Sequence, residues 1–341
     1  MKPQYPTIPS TLTAEQSVSI SNPYIRAATS ANTRRAYQAD IRHFETHGGT
    51  LPAQPQHIIQ YLMQFACSLN ARTLSRRIVA LRNWHRYQGF ADPTSVSEVS
   101  KTLAGIIRTH GQPKEKAAPL LPDDLLKIVI QLEHDGSLRA LRDNALLQVG
   151  FCGAFRRSEL VAIKVEHISW RDQGIEILVP HSKTDQENRG QLCALPRGCA
   201  PLCPITALEK WLTAAEISNG FVFRTPGKNN TVREKPLTSG VISLILRRHA
   251  HAAGIEYADS LSSHSLRRGL ATSAATKGAT LPAIMRQGRW KHVNTVIEYI
   301  EAAQRFEDNA ADIAIKSVNT NQENIRDNNN TIALSGKNLS T

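Results

Sequence analysis

No run of about 18 apolar residues, the length of a membrane-crossing helix, occurs in the 341-residue sequence, and mean hydropathy is −0.32. The opening stretch MKPQYPTIPSTLTAEQ lacks the charged and then apolar order of a secretory signal, so the expected location is the cytoplasm. Paired cysteines are missing too. The five present, Cys67, Cys152, Cys193, Cys199 and Cys203, form no CxxC spacing, which leaves a zinc site or a disulfide framework without support. They are expected to be reduced thiols, mostly small buried apolar groups.

Other absences narrow the chemistry. Gly227-Lys228 is followed by Asn229 and lacks the upstream glycine of a P-loop. There is no HExxH and no GxSxG, and no dense Asp/Glu cluster of the kind that holds two metal ions. No cofactor and no metal are therefore expected. Acid is in short supply: 29 Asp+Glu stand against 41 Lys+Arg, a net charge of +12 with neutral histidines. That balance suits a polyanionic partner. It does not by itself choose among nucleic acid, anionic membrane and acidic protein.

The length fits two domains plus tails. Residues 1–27, broken by prolines, read as a flexible arm. From 28 to 110 apolar residues recur at three and four, as in Ile58, Tyr61, Leu62 and Phe65, so an all-helical domain of four or five helices is expected. Its segment ARTLSRRIVALRNWHRYQGF, residues 71–90, carries Arg72, Arg76, Arg77, Arg82 and Arg86 and no acidic residue. At about 100° per residue, Leu74, Ile78 and Leu81 share one side, and Arg72, Arg76, Arg82 and Arg86 the opposite one. Most charged stripes are merely solvated; five cations without a local carboxylate favour phosphate contact instead. All five arginines are taken as candidate DNA contacts.

Residues 111–121, rich in proline and mixed charge, read as a linker. Helical patterning returns at 122–134 and 138–150. Ile175, Ile177 and Val179 then alternate as in a strand, and residues 191–196 supply a returning strand across the polar loop HSKTDQENRG. Helices follow at about 204–216, 238–253, 264–277, 281–288 and 293–303. The second domain thus runs from 122 to 316, and the Asn-rich tail 317–341 is expected to be disordered. The fold class is mainly α with a small β-sheet.

Isolated basic residues stand out in this second domain. In GAFRRSEL, Arg156 follows a buried apolar helix and lies three residues before Glu159, a carboxylate suited to orient it. Lys183 sits at the tip of the proposed hairpin. His264 and Arg267, in HSLRRG, are three apart at a helix start, so both point the same way. Trp290 and Tyr299 lie nine apart, with a new helix beginning between them.

In this order the set resembles the tyrosine recombinases of the phage-integrase family, over about residues 28–305. CGAFRRSEL matches the family's first arginine motif, Lys183 its hairpin lysine, and HSLR its H-x-L-R box. Trp290 takes a position that is histidine in most members, and GRWKHVNTVIEYI resembles the Cre-like form of the last motif, whose nucleophile falls on Tyr299. The resemblance implies an all-helical N-terminal core-binding domain and a mixed α/β catalytic domain. The implied enzyme cleaves and rejoins duplex DNA at a specific site through a 3′-phosphotyrosine, without metal or ATP. Four protomers exchange strands through a Holliday junction.

Breaking a phosphodiester in this way requires a nucleophile, neutralisation of the two non-bridging oxygens and protonation of the leaving 5′-oxygen. Arginine suits the second task because its planar fork stays charged and binds phosphate bidentately, so Arg156 and Arg267 form the clamp. Lys183 acts as general acid. His264 positions the phosphate or accepts the tyrosine proton, and Trp290 donates its indole N–H or packs beneath the site. His292 is the alternative late donor, two residues out of the family spacing. The apolar stripe Val293, Val296, Ile297 and Ile300 leaves Tyr299 facing out of the core.

Arg157, Arg247, Arg248 and Arg268 are further candidate DNA contacts. The helix after Tyr299 is expected to dock on a neighbouring protomer. Two rivals share the fold: a relaxing type IB topoisomerase, and a DNA-binding protein that does not cut.

Overall fold

The computed structural model describes residues 28–113, 115–180, 190–227, 231–303, 310–311 and 314–315. They divide into two units between Glu115 and Lys116.

The first unit is helical: α1 (Ala31–Thr46), α2 (Pro55–Phe65), α3 (Ala71–Tyr87) and α4 (Ser97–His110). Three of these helices begin where the sequence offers a start signal. The Ser30 hydroxyl accepts the Thr33 N–H ahead of α1, Pro55 occupies the first turn of α2, and the Asn70 side chain accepts the Arg72 N–H ahead of α3. The spacing of three and four then gathers Phe44, Ile58, Tyr61, Leu62, Leu74, Ile78, Leu81, Val99 and Ile106 into one core. His85, fully buried, ties the loop before α2 to α3: its Nδ1 bonds Leu81 O at 2.8 Å and its Nε2 accepts the Ala53 N–H at 2.8 Å.

Five arginines without a local carboxylate were expected on α3; four of them take one from another element. Asp40 of α1, almost fully buried, receives Arg76 bidentately at 2.8 Å through Nε and Nη2 and lies 3.5 Å from Arg77. Arg77 is buried and donates to the Tyr61 hydroxyl at 2.5 Å. Its neighbours make it a core residue, which removes it as a DNA contact. Asp92 sits 3.5 Å from Arg82 and 3.2 Å from Arg86. Arg72 is exposed.

The second unit is built round α6 (Leu138–Cys152), which follows α5 (Pro122–Asp135). Gly136 ends α5 in the left-handed conformation, φ +60°, and the Ser137 hydroxyl starts α6 by accepting the Ala140 N–H. Because α6 is buried on nearly every side it carries its own polar groups inside. Asp143, fully buried, accepts from Arg142 at 2.8 Å and from Arg248 at 2.7 Å, and meets His249 Nε2 at 2.9 Å. Short α7 (Arg157–Val161) leads to an antiparallel sheet in the order β1 (Ile168–Arg171), β2 (Gly174–Val179), β3 (Gln191–Pro196). Ile177 pairs with Cys193 and Ile175 with Leu195, all four buried on the core face as the alternation requires.

α8 (Pro204–Ala214) packs on α6 and buries Trp211, whose indole N–H donates to Val222 O at 2.9 Å. A two-stranded ribbon, β4 (Arg224–Pro226) with β5 (Val232–Pro236), was not signalled by the sequence: its strands hold three and five residues, too short for alternation to register. α9 (Val241–Ala252), α10 (Ser263–Thr276), α11 (Leu281–Gly288) and α12 (Val293–Ala303) complete the unit.

Residues 116–121 belong to this unit and not to a free linker. The Leu120 side chain is fully buried, Ala118 N–H donates to Ser260 O at 3.2 Å and Leu120 N–H to Ser265 O at 3.1 Å. That passage explains Gly269 in HSLRRG, since any Cβ there would collide with the Leu120 carbonyl.

Candidate active site

Three short segments of the second unit bring the site together: the turn after α6, the start of α10, and the bend between α11 and α12. The turn comes first. Ala154 has φ +44°, a conformation rare for a residue with a side chain, and it reverses the chain so that Arg156 falls at the N-cap of α7 with Glu159 at the third helical position. The Arg156 backbone N–H donates to Glu159 Oε2 at 3.0 Å, and its guanidinium donates to Oε1 at 2.6 Å. Glu159 is 5% exposed, so it is no ordinary surface carboxylate. Burial alone would raise its pKa; the bonds from Arg156, with the charges of Arg289 and Arg156, outweigh that and hold it below the usual range.

On α10, Arg267 is 4% exposed. One terminal nitrogen donates to the Ala154 carbonyl, which couples it to the turn just described. The guanidinium lies 4.0 Å from the centroid of the Trp290 ring, a cation–π contact. Its other terminal nitrogen, Nη2, is buried with no hydrogen-bond partner among the described residues. Burial, then the neighbouring charges of Arg156 and Arg289, push the Arg267 pKa down to about 9. This corner has more positive charge than the described side chains neutralise.

Trp290 and Tyr299 form the floor. They pack into a small cluster with Ala154, Ala271, Ala275, Ile284 and Val296, their rings 6.0 Å apart at 63°. Tyr299 is half-buried instead of facing out of the core as the α12 stripe suggested. Only Val296 of that stripe is fully buried, while Val293 is 42% exposed. The reason is a second apolar wall: Trp290 and α10 cover the side of α12 that carries Tyr299. Arg268 adds a cation 5.3 Å from the Tyr299 ring centroid and donates to the Ala117 carbonyl.

His264 occupies the first turn of α10, exposed, three residues before Arg267 and on the same side of the helix; its N–H donates to Ser262 Oγ at 3.2 Å. Lys183 lies outside the described residues, between β2 and β3. His292 is exposed. Of the outlying arginines, Arg157 is exposed, Arg247 donates to Leu261 O at 2.7 Å, and Arg248 is held by Asp143 while its side chain stays 49% exposed.

One residue of the site had no signal in the sequence. Arg289 ends α11 with φ +54° and is 5% exposed. Its guanidinium donates to Gly153 O at 3.0 Å, meets Glu159 Oε2 at 3.3 Å and lies 4.6 Å from the Phe155 ring centroid. Spacing does not distinguish such an arginine from a solvated neighbour of Trp290.

Comparison with known proteins agrees with this geometry. Residues 120–305 match the phage integrase family, and residues 24–88 match the phage integrase N-terminal SAM-like domain. The chain is 37% identical to the integrase/recombinase xerD homolog of Selenomonas ruminantium, over 82% of this chain and 84% of that one. It is 26% identical to recombinase cre of Escherichia phage P1, over 73% and 76% respectively. Two solved structures share the fold: XerH site-specific recombinase bound to palindromic difH substrate, TM-score 0.58 at 14% identity, covering 83% of this chain and 79% of that one, and a lambda integrase dimer bound to a COC' core site, TM-score 0.57 at 16% identity, covering 84% and 75%. A SAM-like helical unit followed by this mixed unit is the arrangement of the tyrosine recombinases. The chain belongs to the phage integrase family and is a tyrosine site-specific recombinase.

Proposed function

We propose that this recombinase cleaves and rejoins duplex DNA at a specific site through a covalent 3′-phosphotyrosine at Tyr299. The observation that supports it most is Arg267: a buried guanidinium beside Arg156, with one unpartnered terminal nitrogen and Trp290 beneath it. Buried donors of this kind stabilise charge that develops on a phosphate's non-bridging oxygens.

In the proposed step the Tyr299 oxygen attacks phosphorus and the bond to the 5′-oxygen breaks. His264 takes the phenolic proton, and Lys183 gives one to the leaving oxygen. Arg156 and Arg267 hold the non-bridging oxygens, Glu159 keeps Arg156 in place, and Trp290 acts by packing under Arg267. The phosphotyrosine conserves the bond energy, so a 5′-hydroxyl of a partner strand reverses the step without ATP. Neither metal nor cofactor takes part in the step as written.

Strand exchange between two duplexes then calls for four protomers and a Holliday junction. The exposed Arg72, Arg157 and Arg248, together with the outward ends of Arg76, Arg82 and Arg86, contact DNA phosphates. A cytoplasmic location follows from a DNA substrate.

The test uses nicked duplexes selected by the wild-type protein from a random-sequence pool. A denaturation-resistant protein–DNA band with wild type, absent in Tyr299→Phe while DNA binding persists, is the expected result. A band in both proteins makes another residue the nucleophile, and a band in neither despite tight binding makes the protein one that does not cut.

A further inference from the structure

Arg289 is placed at a conformational disadvantage. A left-handed backbone is strained for a residue with a Cβ, and glycine is the usual occupant of such a helix end. What holds Arg289 there is its side chain, buried and bonded to the Gly153 and Gln287 carbonyls and the Glu159 carboxylate, with the Phe155 ring against its guanidinium.

The partner it shares matters most. Glu159 Oε1 takes the Arg156 guanidinium, and Oε2 takes both the Arg156 N–H and Arg289. A carboxylate serving Arg156 alone at 2.6 Å would cancel much of that arginine's field at a phosphate. Divided between two guanidiniums, it orients Arg156 and leaves the group positive. The next residue, Trp290, carries Arg267 on its ring, so one turn of chain supports both members of the clamp.

We propose that Arg289 is a positioning residue for DNA cleavage: through Glu159 it fixes the Arg156 guanidinium and keeps the site positively charged for the scissile phosphate. This rests on the covalent-cleavage reading above. Arg289 itself need not touch the substrate.

The experiment compares full-length wild type with Arg289→Gly, Arg289→Lys, Glu159→Gln and the Arg289→Gly/Glu159→Gln double variant. Each is assayed for single-turnover covalent adduct formation on the nicked duplex selected by wild type. Glycine is chosen because it accepts the positive φ without strain. Arg289→Gly is expected to slow adduct formation at saturating DNA by about 10-fold to 100-fold, with half-saturating DNA concentration changed less than about twofold, as befits a residue that does not contact DNA. Arg289→Lys recovers part of the rate. The double variant is no slower than Glu159→Gln, because one residue acts through the other.

A wild-type rate in Arg289→Gly, or a double variant as slow as the product of the two single effects, overturns the proposal. Should Arg289→Gly fail to fold around an under-compensated Glu159, the double variant has no such charge, and its rate against Glu159→Gln decides the matter. If wild type itself forms no adduct on any selected duplex, the cleavage reading falls first and this inference falls with it.

Discussion

Arginines read alike in the sequence at α3 and at the clamp, yet the two regions treat them in opposite ways. On α3, four arginines meet two carboxylates: Arg76 and Arg77 at Asp40, Arg82 and Arg86 at Asp92. At the site, Arg156 and Arg289 divide one carboxylate, Glu159, and among the described residues Arg267 meets a backbone carbonyl and an aromatic ring, with Nη2 left over. In the first arrangement every one of the four arginines has a carboxylate within 3.5 Å, and these pairs tie α3 to its neighbours. In the second, Arg267 has no carboxylate partner among the described residues, and a buried cation with a perturbed pKa is a mark of a functional site more than of a structural pair. A basic stripe is therefore a weak guide to function until each cation's partner is known.

The contrast is broken most severely at Arg267. Arg267→Met keeps an unbranched side chain against Trp290 and removes the phosphate donor. Adduct formation is expected to fall by about 10³-fold, the scale for losing one preorganised donor. Its melting temperature should stay at or above wild type, because the buried repulsion with Arg156 and Arg289 disappears. A lower melting temperature with intact cleavage would make Arg267 a structural cation like those of α3.

The opposite signature is expected at Asp40. Asp40→Ala leaves Arg77 buried without its carboxylate, and breaking a buried pair by removing one partner typically costs about 3–5 kcal/mol. Half-exposed Arg76 can turn to water, so the lower end, about 3 kcal/mol, applies, read by urea unfolding of the first unit. Loss of DNA binding without loss of stability would show that Asp40 organises a contact surface and not a core.

Much of the site was legible because it is local. Arg156 and Glu159 are three apart across a helix start, as N-cap and third helical residue, and His264 and Arg267 are three apart in the first turns of α10, so short spacings brought each pair together. The β2–β3 hairpin showed through its alternation. What did not show is set by chain segments far apart in sequence. Asp40 lies 36 residues from Arg76, so a window of twenty residues round α3 found no acid. Arg289 meets Glu159 across 130 residues, and its positive φ is a property of the finished turn. Tyr299 was read from the stripe of its own helix, whereas its burial is decided by Trp290 and α10.

Asp92 offers the mildest test, and it works through pH. Burial by itself would raise its pKa, but the Thr94 hydroxyl and N–H, at 2.6 Å and 2.9 Å, and the charges of Arg82 and Arg86 outweigh that and hold it below the ordinary value. A folded-state pKa below the unfolded one means the stabilisation is full above the unfolded value, about 3.9, and is lost as pH falls through the folded one. Arg82 and Arg86 are 39% and 65% exposed in their side chains, so solvent screens their share and the effect stays near 1 kcal/mol, roughly that of a capping carboxylate. Urea midpoints at pH 7 and pH 3 should therefore converge in Asp92→Ala relative to wild type, with m unchanged. Equal acid sensitivity in the two proteins would mean that Asp92 is as ionisable unfolded as folded, and that the matched arginines of α3 owe their order to Asp40 alone.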